Sequence, residues 1–324
     1  MKNLLCKNPI VLMAILWIVV PIFIHSNYFI HIMFMTTIYA ILASSLNIAV
    51  GITGLPNLSH ATFFGIGAYV AAIGSLNFNL PFYVTLFIGG FIAMVFGVIL
   101  GIPTLRLKGF YLALVTIGFG QVIRIVELNW MSVTNGPMGL PGISGAVIGS
   151  YELSPKAFIY YGFVILLIVS IITKRLLKSK IGRALMAIKN DEVVANALGV
   201  DVTKFKVFAF IISSFFAGMA GTVYAHYVTF VSPDSFTAAD STTVLCMVIL
   251  GGMGTILGPV IGAIVLTIAP EALRFADLYR VVFIGMVMVV SIIFKECNCA
   301  EVIISKTKNL FSRQSNRDEV SLHD

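Results

Sequence analysis

"YFIHIMFMTTIYAILASSLNIAVGITGLPNLSHATFFGIGAYVAAIGS", residues 28–75, decides the fold. It holds two apolar runs, each close to the roughly 20 residues that one helical crossing of a bilayer requires. Between them the pattern breaks at Gly51, Gly54 and Pro56, and the polar Asn57, Ser59 and His60 follow. The stretch lies within a longer one, residues 8–105, that contains no Asp, Glu, Lys or Arg. A soluble domain does not leave so long a segment uncharged, since about a quarter of its residues ordinarily carry charge. The runs are continuous rather than alternating, which selects helices over barrel strands.

The rest of the chain agrees. Of its 324 residues 59% are hydrophobic and 11% charged, with a mean hydropathy of +1.00. The fold class is an all-α polytopic membrane protein, with apolar spans near 9–26, 28–50, 59–75, 80–102, 109–127, 157–173, 207–231, 243–268 and 281–295. That predicts about 8–9 transmembrane helices, some broken by Gly and Pro. Residues 1–26 form an N-terminal helix, 27–295 the transmembrane domain with a polar loop at 174–206, and 296–324 a polar tail. The N-terminus has the basic start and apolar centre of a signal peptide but no small-x-small cleavage site, and reads as a retained helix.

The net charge of +7 needs no nucleic acid to explain it, because basic residues in loops fix orientation by the positive-inside rule. Segment 174–206 carries eight of them (Lys174, Arg175, Lys178, Lys180, Arg183, Lys189, Lys204, Lys206) against Asp191, Glu192 and Asp201, which places it in the cytoplasm with Arg106 and Lys108. The Gly- and Pro-rich "NWMSVTNGPMGLPGISGAVIGSYELSPK" then falls outside. The four cysteines (Cys6, Cys246, Cys297, Cys299) are too scattered for a disulfide framework, and the lone Cys297-x-Cys299 lacks the second pair that a metal site needs.

A second break resembles the first. "ILGGMGTILGPVIGAI" sets Gly251, Gly252, Gly254, Gly258 and Pro259 within the span at 243–268, where a helix is hard to continue. A re-entrant element that returns to the outer side is expected, and it leaves the tail cytoplasmic. The two broken stretches can be aligned with a gap, which leaves an internal repeat open. Paired, Gly-interrupted segments point to a transport pathway; glycines that let helices approach closely, as Gly97 and Gly101 would, are the plainer reading. The polar residues of these segments, Asn47, Asn57, Ser59, His60 and Thr255, are the pathway candidates. His60 is expected to be a hydrogen-bonded histidine rather than a proton carrier. Arg124 and Glu127, three apart on one helix, are expected to pair with each other, as are Glu271 with Arg274 and Asp277 with Arg280.

No GxxxxGK[ST] loop is present, so nothing in the chain cradles a nucleotide phosphate. There is no H-E-x-x-H, no GxSxG and no intramembrane carboxylate cluster, so the chain is not expected to be an enzyme. If it moves solute uphill, the energy comes from another chain. The loop at 180–206, "KIGRALMAIKNDEVVANALGVDVTKFK", supplies a means. Asp191 is a good helix N-cap, Glu192 sits at the positive end of the dipole, and Gly199 is placed to end the helix in the left-handed conformation. The result is a helix of about two turns, too short to be stable alone in water. Val193, Val194, Ala197 and Leu198 form its apolar stripe, with Glu192 and Asn196 facing away. The stripe either folds back on this chain's own helices or fills a groove on a soluble partner.

Here the sequence resembles a known family. "RALMAIKNDEVVANALGVDVTKFKVFAFIISSFFAGMAGTVYAH" is similar to the coupling loop of permease subunits in ABC importers of the branched-chain amino acid class, the LivM type. "GLPNLSHATFFGIGAY", "TLRLKGFYLALVTIGFGQVIR", "TNGPMGLPGI" and "GGMGTILGPVIGA" match its other blocks in order, from about Ile38 to Phe294. The resemblance implies a second related permease (LivH type), two cytoplasmic ATPase subunits that dock on the coupling loops and use ATP, and a periplasmic substrate-binding protein. It implies a multi-pass protein of the bacterial inner membrane that needs no cofactor of its own. On the matching positions, Asp191, Glu192, Ala195, Ala197 and Gly199 would make the ATPase contact, although Val193 and Val194 depart from the older lettering of the motif. Permeases of urea and short amides resemble this family too, and a self-sufficient transporter or channel is the reading from another class.

Overall fold

The computed structural model describes residues 26–272 except 105–106, 108, 146, 149–150 and 153, together with 17–18, 20–21 and 285. Most of the first span at 9–26, Arg106 and Lys108, the Glu271/Arg274 and Asp277/Arg280 spacings, the span at 281–295 and the tail at 296–324 lie outside the described residues.

Among the described residues six helices are long and apolar enough to cross a membrane. They are α1 (Asn27–Asn47), which runs on as a π-helical turn over Ile48–Ile52, α2 (His60–Phe78), α3 (Phe82–Thr104), α4 (Phe110–Asn129), α6 (Pro155–Lys178) and α9 (Val202–Val228); α5 (Met131–Thr134) is a single turn after α4. Each coincides with one expected span. α6 and α9 extend beyond the apolar windows into Lys174, Arg175, Lys178, Lys204 and Lys206, because long basic side chains can lie along a helix and keep their charge near its end. Between α6 and α9 stand α7 (Lys180–Asn190) and α8 (Glu192–Ala197). At the opposite end of α9 a two-residue strand, β4 (Phe230–Val231), pairs antiparallel with β1 (Leu140–Pro141), so the Gly- and Pro-rich loop lies away from α7 and α8. That loop also holds the β2 (Val147–Ile148) and β3 (Tyr151–Glu152) pair.

The span expected at 243–268 is two helices, α10 (Ala238–Gly251) and α11 (Gly258–Ala272). A Cβ on Gly251 would stand 1.8 Å from the Gly258 carbonyl oxygen, and one on Gly262 1.9 Å from that of Met247. The helices therefore run back along each other as a tight hairpin with its tip at 252–257. At about 1.5 Å per residue, the 14 residues of α10 fall short of a full crossing. The break in helix continuity read from the glycines is thus present, and the segment folds back on itself at that break.

The core is built on α9, which packs against α2 and α3 through glycines on all three. A Cβ at Gly67 would lie 2.1 Å from the Gly218 oxygen, at Gly89 2.3 Å from the Thr222 hydroxyl, and at Gly221 2.0 Å from the Phe64 oxygen. In lipid, where no hydrophobic force drives helices together, this backbone proximity is the main source of packing. Gly221→Val is expected to separate α9 from α2, since overfilling a tight contact costs about 1–3 kcal/mol or more. Lower yield and a lower unfolding midpoint in detergent would check this; an unchanged midpoint would mean the helices are not packed so closely.

One expected pairing is replaced by another. Arg124 reaches across to Asp234, at 2.8 Å, on the turn that precedes α10. Glu127 is buried, and its backbone oxygen accepts the Thr134 hydroxyl of α5 at 2.6 Å. The i, i+3 spacing brought the two onto one helix, but an acid offered by the neighbouring loop took the guanidinium.

Candidate functional site

Two features converge where α1 ends: the junction of the broken segments, and the loop α7–α8 beneath it. α1 continues as the π turn, and its last carbonyls are served irregularly. Thr53 donates its hydroxyl to the Ile48 oxygen at 3.1 Å, Leu55 N–H reaches that of Ala49 at 3.1 Å, and Gly54 N–H that of Val50 at 3.1 Å. Gly54 has φ +74, in the left-handed region that glycine alone enters freely.

Asn47, buried in the last turn of α1, holds the tip of the α10–α11 hairpin with both ends of its amide. Its Nδ2 donates to the Thr255 oxygen at 2.8 Å, and its Oδ1 accepts from Gly254 N–H at 2.8 Å. A Cβ on Gly254 would be 3.2 Å from the Gly51 oxygen, so the two broken segments, about two hundred residues apart in sequence, touch backbone to backbone.

Of the pathway candidates, then, Asn47 and Thr255 meet directly. Asn57 and Ser59 form a local turn, Asn57 Oδ1 accepting Ser59 N–H at 3.0 Å and its hydroxyl at 2.8 Å. His60 Nε2 lies 3.0 Å from the Ser45 hydroxyl, the hydrogen-bonded histidine that was expected. Asn47, Asn57, Ser59 and His60 are all buried and Thr255 is exposed. Asn57 Nδ2, His60 Nδ1 and the Ser44 hydroxyl have no hydrogen-bond partner among the described residues, a costly state for buried polar groups.

Below the junction, α7 is amphipathic. Gly182, Leu185 and Ile188 face inward, and Leu185 joins Ile48, Ile52, Leu176 and Ala209 in one apolar cluster. α8 begins as its letters specify, with Asp191 Oδ1 accepting Val193 N–H at 2.7 Å and Val194 N–H at 3.1 Å. Gly199 ends it at φ +81. Ala195 alone of α8 is fully buried. Val193, Val194 and Leu198 are 66, 54 and 76% exposed, and Ala197 is exposed beside them. The apolar stripe therefore does not fold back on the described part of this chain.

Glu192 departs from its expected place. It turns inward and its carboxylate meets the Lys206 ammonium at 2.5 Å, while Lys206 is only 2% exposed. In the sequence Lys206 reads as one more loop cation. Its position inside the "KFKVFAF" start of α9 was the available signal. Lys204, two residues earlier and exposed, instead donates a hydrogen bond to Asp201, the N-cap of α9, and holds that carboxyl below its usual range. Lys189, too, was read only as charge. Its Nζ donates to the Gly51 oxygen at 2.7 Å.

Residues 28–292 match the protein family described as "Branched-chain amino acid transport system / permease component". The chain is 36% identical to the high-affinity branched-chain amino acid transport system permease protein LivM of Salmonella typhimurium, over 89% of this chain and 74% of that protein. It is 37% identical to the LivM protein of Escherichia coli, over 81% and 67%. At 26% identity it also resembles the Salmonella typhimurium permease LivH, over 74% and 82%. No solved structure matches.

Proposed function

Because this chain belongs to the family of permease components of branched-chain amino acid transport systems, we propose that it forms half of the membrane pathway of an ABC importer and is driven by ATPase subunits that it does not itself contain. The observation that carries this reading is α8: a capped helix of six residues, anchored from within by Ala195 and the Glu192–Lys206 pair, that presents Val193, Val194, Ala197 and Leu198 outward. A helix this short cannot hold an exposed apolar face for its own stability. Its chemistry suits an apolar groove on a cytoplasmic partner. Asp191 and Gly199 set its two ends, Glu192 and Ala195 seat it, and Ala197 lies in the contact.

The other half would be a second, LivH-like permease, and a periplasmic binding protein would deliver branched-chain amino acids to the outer face in the inner membrane. Each half of the chain contributes one broken segment, in keeping with an internal repeat. The unpartnered Asn57, His60 and Ser44 polar atoms, with exposed Thr255, are the groups a passing zwitterion or water would use once the junction parts. The names of the relatives favour leucine, isoleucine and valine over urea.

The test is co-expression with the neighbouring transport genes, purification, and uptake into proteoliposomes. ATPase chains should co-purify, and labelled leucine uptake should need ATP and resist competition by urea. Val194→Glu with Leu198→Glu, both at exposed sites, should leave the permease folded yet release the ATPases and reduce uptake by roughly a hundredfold, the equivalent of about 2.7 kcal/mol. Uptake without ATP, or retention of the ATPases by that variant, would remove α8 from this role.

A further inference from the structure

We propose that Lys189 is the positioning residue that joins the α7–α8 loop to the junction of the two broken segments, so that displacement of the loop is passed directly to that junction. The proposal rests on the permease reading above and assigns a residue to a step that reading leaves unlocated.

The geometry at Gly51 is the reason. The carbonyls of Ile48, Ala49 and Val50 all receive donors from the turn that follows them. The Gly51 oxygen receives the Lys189 ammonium from α7. The same oxygen faces Gly254 at the tip of the α10–α11 hairpin, whose N–H and neighbouring carbonyl are held by Asn47. One carbonyl therefore has the loop on one side and the second broken segment on the other. Gly54 makes the approach possible. A Cβ there would stand 2.9 Å from Lys189 Cγ, 3.5 Å from its Cβ and 3.6 Å from its Cα, so the lysine stem lies across a position kept bare.

The rest of α7 sits on the same floor through Leu185 and its cluster with Ile48 and Ile52. Apolar packing lets two surfaces slide. A directed hydrogen bond to a backbone oxygen in a π turn resists sliding and transmits a pull along its axis, since π turns are already local irregularities in a helix. The Glu192–Lys206 pair fixes the other end of the loop to α9. A pull on α8 thus has two exits, one into the base of α9 and one, through Lys189, into the junction.

The experiment uses the whole importer in proteoliposomes, with leucine uptake and ATP hydrolysis measured together. Lys189→Met keeps the stem over Gly54 and removes the ammonium; Lys189→Arg keeps a cationic donor. Lys189→Met is expected to assemble with the ATPases in normal yield while leucine moved per ATP hydrolysed falls by roughly tenfold, with Lys189→Arg recovering most of it. A normal leucine-to-ATP ratio in Lys189→Met, or failure of Lys189→Arg to recover it, overturns the proposal. So does a loss of ATPase co-purification, which would make Lys189 a docking contact. An unsubstituted importer that takes up leucine without ATP would instead defeat the permease reading, and is distinguished by that control.

Discussion

Asn47→Ala is expected to part the two broken segments and lower uptake by roughly tenfold or more, the equivalent of at least about 1.4 kcal/mol. The amide makes two hydrogen bonds of 2.8 Å to backbone on the hairpin tip. Truncation leaves the Gly254 N–H and the Thr255 carbonyl without it, and a buried group so abandoned costs about 1–3 kcal/mol. Thr255 is exposed, and water there recovers part of the loss, so a single buried penalty is the better measure. Asn47→Asp should be the more harmful change. It keeps the acceptor for Gly254 but turns a second oxygen toward the Thr255 carbonyl, so two acceptors face each other where a donor is needed. Uptake and the unfolding midpoint of the purified permease decide the matter. If Asn47→Ala transports and melts as the unsubstituted protein does, the contact between the broken segments carries nothing.

Glu192→Lys should fail at an earlier stage, with little protein accumulating in the membrane. Lys206 is buried and its ammonium meets Glu192 at 2.5 Å. Breaking a buried ion pair by removing one partner costs about 3–5 kcal/mol, and a second ammonium adds repulsion. Glu192→Gln should be milder, because a polar oxygen still faces the ammonium and no second cation is added. Lys206→Met, of similar length and without charge, should be milder still, since the remaining carboxylate lies near the surface and can be hydrated. The order of unfolding midpoints expected is therefore Lys206→Met above Glu192→Gln above Glu192→Lys. Equal midpoints for all three would show that the pair is not structurally coupled to α9. Loss of uptake in Glu192→Lys consequently reports on folding. The proposed docking is tested instead at exposed residues of the stripe, such as Val194 and Leu198.

Much of this was legible in the letters because it is local. The Asp191 cap, the Gly199 terminus and the break at Gly51, Gly54 and Pro56 depend on backbone conformation and on hydrogen bonds within a few residues. The hairpin of α10 and α11 could be read in the same way, since consecutive glycines stop a helix wherever it sits. Arg124 shows where such reading ends. Its spacing to Glu127 was correct for a pair, yet Asp234, distant in sequence, was the partner available. Charge pattern gives a residue's opportunities along its own helix and says nothing of loops that return beside it.

The amino-acid sequence by itself determined that the chain is helical and membrane-embedded, where its helices break, and that α8 is a short capped helix with an apolar stripe. Each follows from hydrophobic run length, backbone propensity and near-neighbour hydrogen bonding. Only the tertiary structure decided which way that stripe faces, that Glu192 turns in to meet the buried Lys206, and that Asn47, Gly51, Gly254 and Lys189 meet at one point. Those contacts join segments up to two hundred residues apart, and their energies depend on burial and on which donor reaches which acceptor, quantities that exist only once the helices have packed.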